Sequence, residues 1–140
     1  MLAGITALAV STAPAASRAT SRHVTEHITL KLAKRTNGTT FVHTGRADGT
    51  VDGKVRSTIS LSHAVVLRGT VTITTSAGKM RLKVDGRARS LEQKTKFNGT
   101  ATMLAGTGRY ADGAGKGTFS GVVDRSTWAV TIDAAGTFRY

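Results

Sequence analysis

The chain has 140 residues, with 20 Lys and Arg against 8 Asp and Glu (a formal charge of +12), one proline and no cysteine. That length suits a single domain with its own core, and the missing cysteines exclude disulfides, thiolate nucleophiles and Cys-ligated zinc. The positive excess favours anionic partners such as nucleic acid, acidic glycans, teichoic acids or anionic lipid surfaces, without selecting among them.

The first ten residues, MLAGITALAV, are apolar and uncharged, and Ser11-Thr12-Ala13-Pro14-Ala15-Ala16 follows. An apolar run ending in Ala-x-Ala is what a signal peptidase requires, and about ten residues are too few to span a bilayer, which takes about 18. Residues 1–16 are therefore read as a signal peptide cut after Ala15 or Ala16, and the protein as secreted. No Lys or Arg precedes the run, so the usual basic leader is missing or truncated; the alternative is a buried N-terminal strand or helix. Residues 17–22 read as a disordered lead-in, and residues 23–140 as one β domain.

From His23 onward, period-2 patterning hardly stops. Val24, Ile28, Leu30 and Leu32 share a face opposite Thr25, His27, Thr29 and Lys31, and Lys34 to Gly38 reads as a turn. A less regular strand over Thr39 to Ala47 leads to Asp48-Gly49, a tight-hairpin signal. Val51, Gly53, Val55, Ile59 and Leu61 mark a third strand, and Val65, Leu67, Gly69, Val71 and Ile73 a fourth. In the fifth, Lys79, Arg81, Lys83, Asp85, Arg87 and Arg89 alternate with Met80, Leu82, Val84, Gly86 and Ala88, a segregation only a half-buried strand produces. Lys94 to Leu104 gives a sixth strand, Thr118 to Val123 a seventh, and Trp128 to Phe138 an eighth. No helix is predicted.

Gly53, Gly69, Gly86, Gly99, Gly121 and Gly136 fall on the apolar faces of these strands. Interior glycines relieve crowding where strands bend to close a small barrel. The predicted fold is an all-β, eight-stranded antiparallel closed barrel, with a two-sheet sandwich as the alternative. Asn98-Gly99 is open to a hairpin reading as well.

Between the sixth and seventh strands lies Gly106-Thr107-Gly108-Arg109-Tyr110-Ala111-Asp112-Gly113-Ala114-Gly115-Lys116-Gly117. A phosphate loop needs Gly-x-x-x-x-Gly-Lys-Ser/Thr ahead of a helix; Gly115-Lys116-Gly117-Thr118 lacks that spacing and precedes a strand. Gly106, Thr107, Gly108, Tyr110, Gly115 and Gly117 are instead read as a structural loop packed by Tyr110. The stretch resembles the Gly-Thr-Gly-x-Phe/Tyr-x-Gly-Ala-x-Gly signature of allene oxide cyclase and dirigent barrels, also carried by small secreted actinobacterial proteins. It matches at Gly106, Thr107, Gly108, Tyr110, Ala111 and Gly115, and departs at Asp112 and Gly113, where the family has Gly then Ala. The resemblance implies an eight-stranded barrel and admits an isomerase or cyclase acting inside it. Allene oxide cyclases use an interior glutamate, but no motif around Glu26 carries that role over.

Glu26 is in phase with Val24, Ile28 and Leu30, which directs it into the barrel near one mouth. A carboxyl group held in an apolar cavity has a raised pKa and can serve as acid or base. Glu26 and Tyr110 are thus the candidate catalytic residues, weighed against a rim carboxylate in water or paired with Arg. His23 and His27, four apart on a strand, are about 13 Å from one another, too far for one metal; no metal or cofactor site is predicted. No Ser lies in Gly-x-Ser-x-Gly. Lys79, Arg81, Lys83, Arg87, Arg89, Lys94 and Lys96 form the candidate polyanion-binding face, for an anionic wall polymer or a membrane surface. Without interleaved aromatics that face is not expected to recognise nucleic acid by sequence. The leading expectation is a non-enzymatic binder of one small apolar ligand; nothing in the sequence sets the oligomeric state.

Overall fold

A computed structural model describes residues 20–104 and 106–140. The signal-peptide reading of residues 1–16 lies outside the described residues, as does most of the lead-in. The remainder is all β: β1 (Ser21–Thr36), β2 (Thr40–Gly49), β3 (Gly53–Ser62), β4 (Val66–Thr75), β5 (Gly78–Ala88), β6 (Lys94–Leu104), β7 (Ala114–Asp124) and β8 (Val130–Arg139), with one 3₁₀ turn at Gly108–Tyr110. Each strand pairs antiparallel with its neighbours in chain order, and β8 pairs with β1. The sheet is a closed barrel with no free edge, which removes the sandwich alternative.

Its register sets its width. From Val24, the Cα partners run through Gly136, Gly117, Ala101, Val84, Gly69, Ile59 and Phe41, then return to β1 at Arg35. Val24 to Arg35 is a displacement of eleven residues. One of them is a bulge at Ala33, where the register shifts between Leu32 and Lys34. A stagger exceeding the strand number tilts the strands by about 40° and widens the barrel beyond what side chains fill by themselves.

Several boundaries differ from the sequence reading. Ser21 and Arg22 belong to β1, because Arg139 and Phe138 of β8 pair with them and Thr20 exchanges backbone bonds with Tyr140. The bulge carries β1 on through Lys34 and Arg35, so the first turn is only residues 37–39, with left-handed Asn37 (φ 54°) and Gly38 (φ 69°). Those two angles are what a two-residue hairpin of the primed type requires. Asp48 and Gly49 remain paired with β1, and residues 50–52 make the bend. Asn98-Gly99 is mid-strand. Gly99 lies opposite Gly86 and Phe119, and a Cβ on it would fall 2.7 Å from the Phe119 ring. Glycine there is the space an inward phenylalanine occupies.

The two ends differ. At the floor, where β1 begins and β8 ends, inward residues Val24, Ala47, Val51, Ile73, Met80, Met103 and Phe138 are buried and form one apolar cluster. Toward the mouth, inward Leu61, Leu67, Ala88 and Val123 are partly exposed.

Candidate functional site

All eight strands line one interior cavity of about 160 Å³. Its wall is overwhelmingly apolar, with Leu30, Val71, Phe97, Phe119 and Ile132 around the middle. Polar side chains gather at the ends: Glu26 toward the floor, and His43, Ser57, Thr95 and Arg125 on the mouth side.

The floor is closed by the glycine-rich connection. Thr107 N–H donates to the Lys79 carbonyl, Lys79 N–H to Thr107 Oγ1, and Arg109 N–H to the Ala77 carbonyl, each near 3.0 Å. The Tyr110 carbonyl accepts from both Gly106 and Gly113 at 3.0 Å. Gly108 takes φ +58°, and a Cβ on it would fall 2.3 Å from the Ala77 oxygen, so the stitch to the β4–β5 turn needs glycine. Tyr110 is buried against the floor cluster, its ring 5.0 Å from that of Tyr140. Arg22 and Arg109 cover the Tyr140 ring at 5.0 and 5.6 Å. Tyr110 does not line the cavity. Gly115 and Gly117, read as part of this loop, belong instead to β7: they pair with Phe138 and Gly136, and a Cβ on them would fall 2.5 Å from the Thr137 carbonyl oxygen and 2.7 Å from that of Ala135.

Glu26 is 8% exposed and faces inward, its backbone opposite Gly49 and Ala134. Its Oε1 accepts from Val51 N–H at 2.5 Å, while Oε2 is buried without a hydrogen-bond partner among the described residues. Loss of solvation raises its pKa from 4.5 to about 7; the Val51 bond opposes the shift, and Asp52 and Asp48 add to it. The structure thus places Glu26 in the cavity wall at the closed end rather than beside the opening, and at the same end as Tyr110.

The mouth carries a polar cluster that sequence reasoning missed. His43 Nε2 donates to the Trp128 carbonyl at 2.7 Å, and burial lowers the His43 pKa, so the imidazole stays neutral. The Trp128 ring lies 4.5 Å from Phe41, with Arg35 and Arg125 at 5.3 and 5.9 Å. Arg125 Nε donates to Thr95 Oγ1 at 2.7 Å, and Thr95 Oγ1 donates to the Glu92 carbonyl at 2.5 Å. Among the described residues, every non-glycine with positive φ lies in a mouth turn: Asn37, His63, Ala64 and Trp128. Of this cluster only the phase of His43 with Phe41 and of Thr95 with Phe97 was present as a signal, and both are polar residues on apolar faces.

On the exterior, Lys79, Arg81, Lys83, Arg87, Arg89, Lys94 and Lys96 are all exposed. They form two groups rather than one face. Asp85, 3.6 Å from Arg68, interrupts the β5 row; Arg87 and Arg89 join Lys94 and Lys96 near the mouth, where Arg89 Nε donates to Asn98 Oδ1. Lys79, Arg81 and Lys83 continue instead toward β4 and β3. Their neighbours include a shallow outer groove with Lys31, Arg46, Lys54 and Arg56 on its rim, in which Arg46 and Lys54 are direct cross-strand partners. Among the described residues no cluster of three or more His, Asp or Glu side chains comes together. Compared with protein-family models, curated proteins and solved structures, the chain matches none.

Proposed function

We propose that the protein is a secreted, non-enzymatic container for one small, mainly apolar molecule held inside its barrel. The observation that carries this is the cavity of about 160 Å³ with an apolar wall reached from one end. An engineered apolar cavity of about 150 Å³ takes up benzene, so the occupant has about the bulk of one aromatic ring. Burying six to eight carbons at about 0.8 kcal/mol each gives about 5–6 kcal/mol, or a dissociation constant of tens to hundreds of micromolar. The glycine signature's resemblance to allene oxide cyclase and dirigent barrels supports the same interior as the working part, although a shared fold does not dictate an activity. Native mass spectrometry of the protein from its culture medium tests the reading. A retained small adduct supports it; an apo mass that takes up no added aromatic hydrocarbon contradicts it.

A second reading, an isomerase or cyclase, is favoured by Glu26 alone, a cavity-wall carboxyl group with one oxygen unpartnered among the described residues and a pKa of about 7. Replacing Glu26 by Gln separates the two: an enzyme of this kind loses turnover, a container keeps its ligand. The exposed cations outside would hold the protein against an anionic wall polymer or membrane surface, by contacts that report charge density rather than sequence.

A further inference from the structure

Arg125 stands where the apolar cavity meets the mouth, and its surroundings are those of a cation built to receive an anion. Its backbone N–H is fixed to the Gln93 carbonyl at 2.7 Å. Its Nε–H is held by Thr95 Oγ1, and Thr95 is itself fully buried, at 0% exposure. The Thr95 hydroxyl is itself committed to the Glu92 carbonyl. A guanidinium has five N–H donors in a rigid fork. Here one is spent on Thr95 and one reaches the Ala64 carbonyl across the mouth at 3.4 Å; the others meet no acceptor among the described residues. No carboxylate forms an ion pair with Arg125 among the described residues, and residues 1–19 and 105 contain no Asp or Glu. Nearby His43 is neutral, with Nε2–H turned to the Trp128 carbonyl, so it adds no second positive charge and leaves Arg125 as the cation of the cluster. Left-handed Ala64 and Trp128, both conformations that cost energy, present the two carbonyls that anchor Arg125 and His43.

We infer that Arg125 binds the head group of the ligand, and that the ligand is a small monocarboxylate whose apolar body fills the barrel. The inference rests on the container reading and names its ligand class. The planar fork matches a carboxylate bidentately, and the packed rings of Phe41 and Trp128 line the cavity beside it. Pinning through Nε leaves the terminal nitrogens, one of which also reaches the Ala64 carbonyl, as the recognition edge, which Thr95 orients without touching the ligand.

Isothermal titration of the full chain with phenylacetate and with its neutral isostere phenylacetamide tests this. The wild-type protein should prefer phenylacetate by about tenfold to a hundredfold, the scale of hydrogen bonds to a charged group. Arg125→Gln should erase the preference, Arg125→Lys should restore part of it, and Thr95→Val, which keeps the cation but frees its orientation, should reduce it. Because Thr95→Val and Arg125→Lys retain the charge, a misfolded Arg125→Gln does not remove the test. Equal affinity for the two probes in the wild type, or a preference that survives Arg125→Gln, overturns the head-group assignment and leaves the container standing. Binding of neither probe at millimolar concentration overturns both.

Discussion

Replacing Glu26 by Gln should change how stability depends on pH. The carboxyl group has a pKa of about 7 in the folded barrel against 4.5 for the ordinary group. A raised folded pKa means that the native state holds this proton more tightly than the unfolded chain does. Its contribution is therefore fully present below about pH 4.5 and is lost as pH rises through about 7. At 1.36 kcal/mol for each pKa unit the loss has a ceiling of about 3 kcal/mol, and water entering the cavity screens it toward about 2 kcal/mol. Gln keeps the acceptor for Val51 N–H and never ionises. The Glu26→Gln protein should match the wild type near pH 5 and exceed it by about 2 kcal/mol at pH 8.5, a displacement of about 1 M in the urea midpoint. His43 titrates with the opposite sign over part of this range, but it is common to both proteins and cancels in the difference. Urea unfolding of both proteins at half-unit pH steps makes the measurement. A difference that stays constant, or shrinks as pH rises, refutes the buried-carboxyl reasoning.

Other outcomes follow from the same geometry. Gly99→Ala places a methyl group within 2.1 Å of the Asp85 oxygen and 2.7 Å of the Phe119 ring, so it should cost about 2–3 kcal/mol in urea unfolding; a neutral result would mean that the β5–β6 pair yields easily. His43 should stay in the neutral Nε2–H form below pH 6.5, because burial lowers its pKa and Trp128 accepts its proton's hydrogen bond; ¹⁵N shifts of an imidazolium at pH 6.5 would contradict this. Replacing Lys79, Arg81 and Lys83 together by Gln should weaken heparin binding and reduce the slope of log K against log salt by up to about 3. An unchanged slope would move attention to Lys31, Arg46, Lys54 and Arg56.

The strands were legible where one face is apolar and the other charged. Lys79 to Ala88 could be nothing but a half-buried strand, and β6 spans Lys94–Leu104 as the alternation required. Closure was legible from glycines on inner faces, because the space that Gly86 and Gly99 leave is filled by Phe119 from the next strand. Where alternation lapses, so did the reading. β7 starts at Ala114 because Gly115 and Gly117 pair with Phe138 and Gly136, an inner face without apolar side chains to announce it. Lys34 and Arg35 looked like a turn because a bulge at Ala33 resets the phase of β1. Glu26 could be placed on the inner face by its phase alone, but which end is closed depends on a loop folding back onto the β4–β5 turn. The Arg125, Thr95, His43 and Trp128 cluster draws on β2, β6 and the β7–β8 connection, and it meets only through the barrel's stagger.

The container account is tested most directly by a methyl-NMR titration of the protein with toluene. Saturable one-to-one binding in the range of tens to hundreds of micromolar, with shifts at the inward methyls of Ile28, Leu67, Val71 and Ile132, is the expected result. No saturable shift, or shifts confined to the outer face, would contradict it and leave the charged exterior as the working surface.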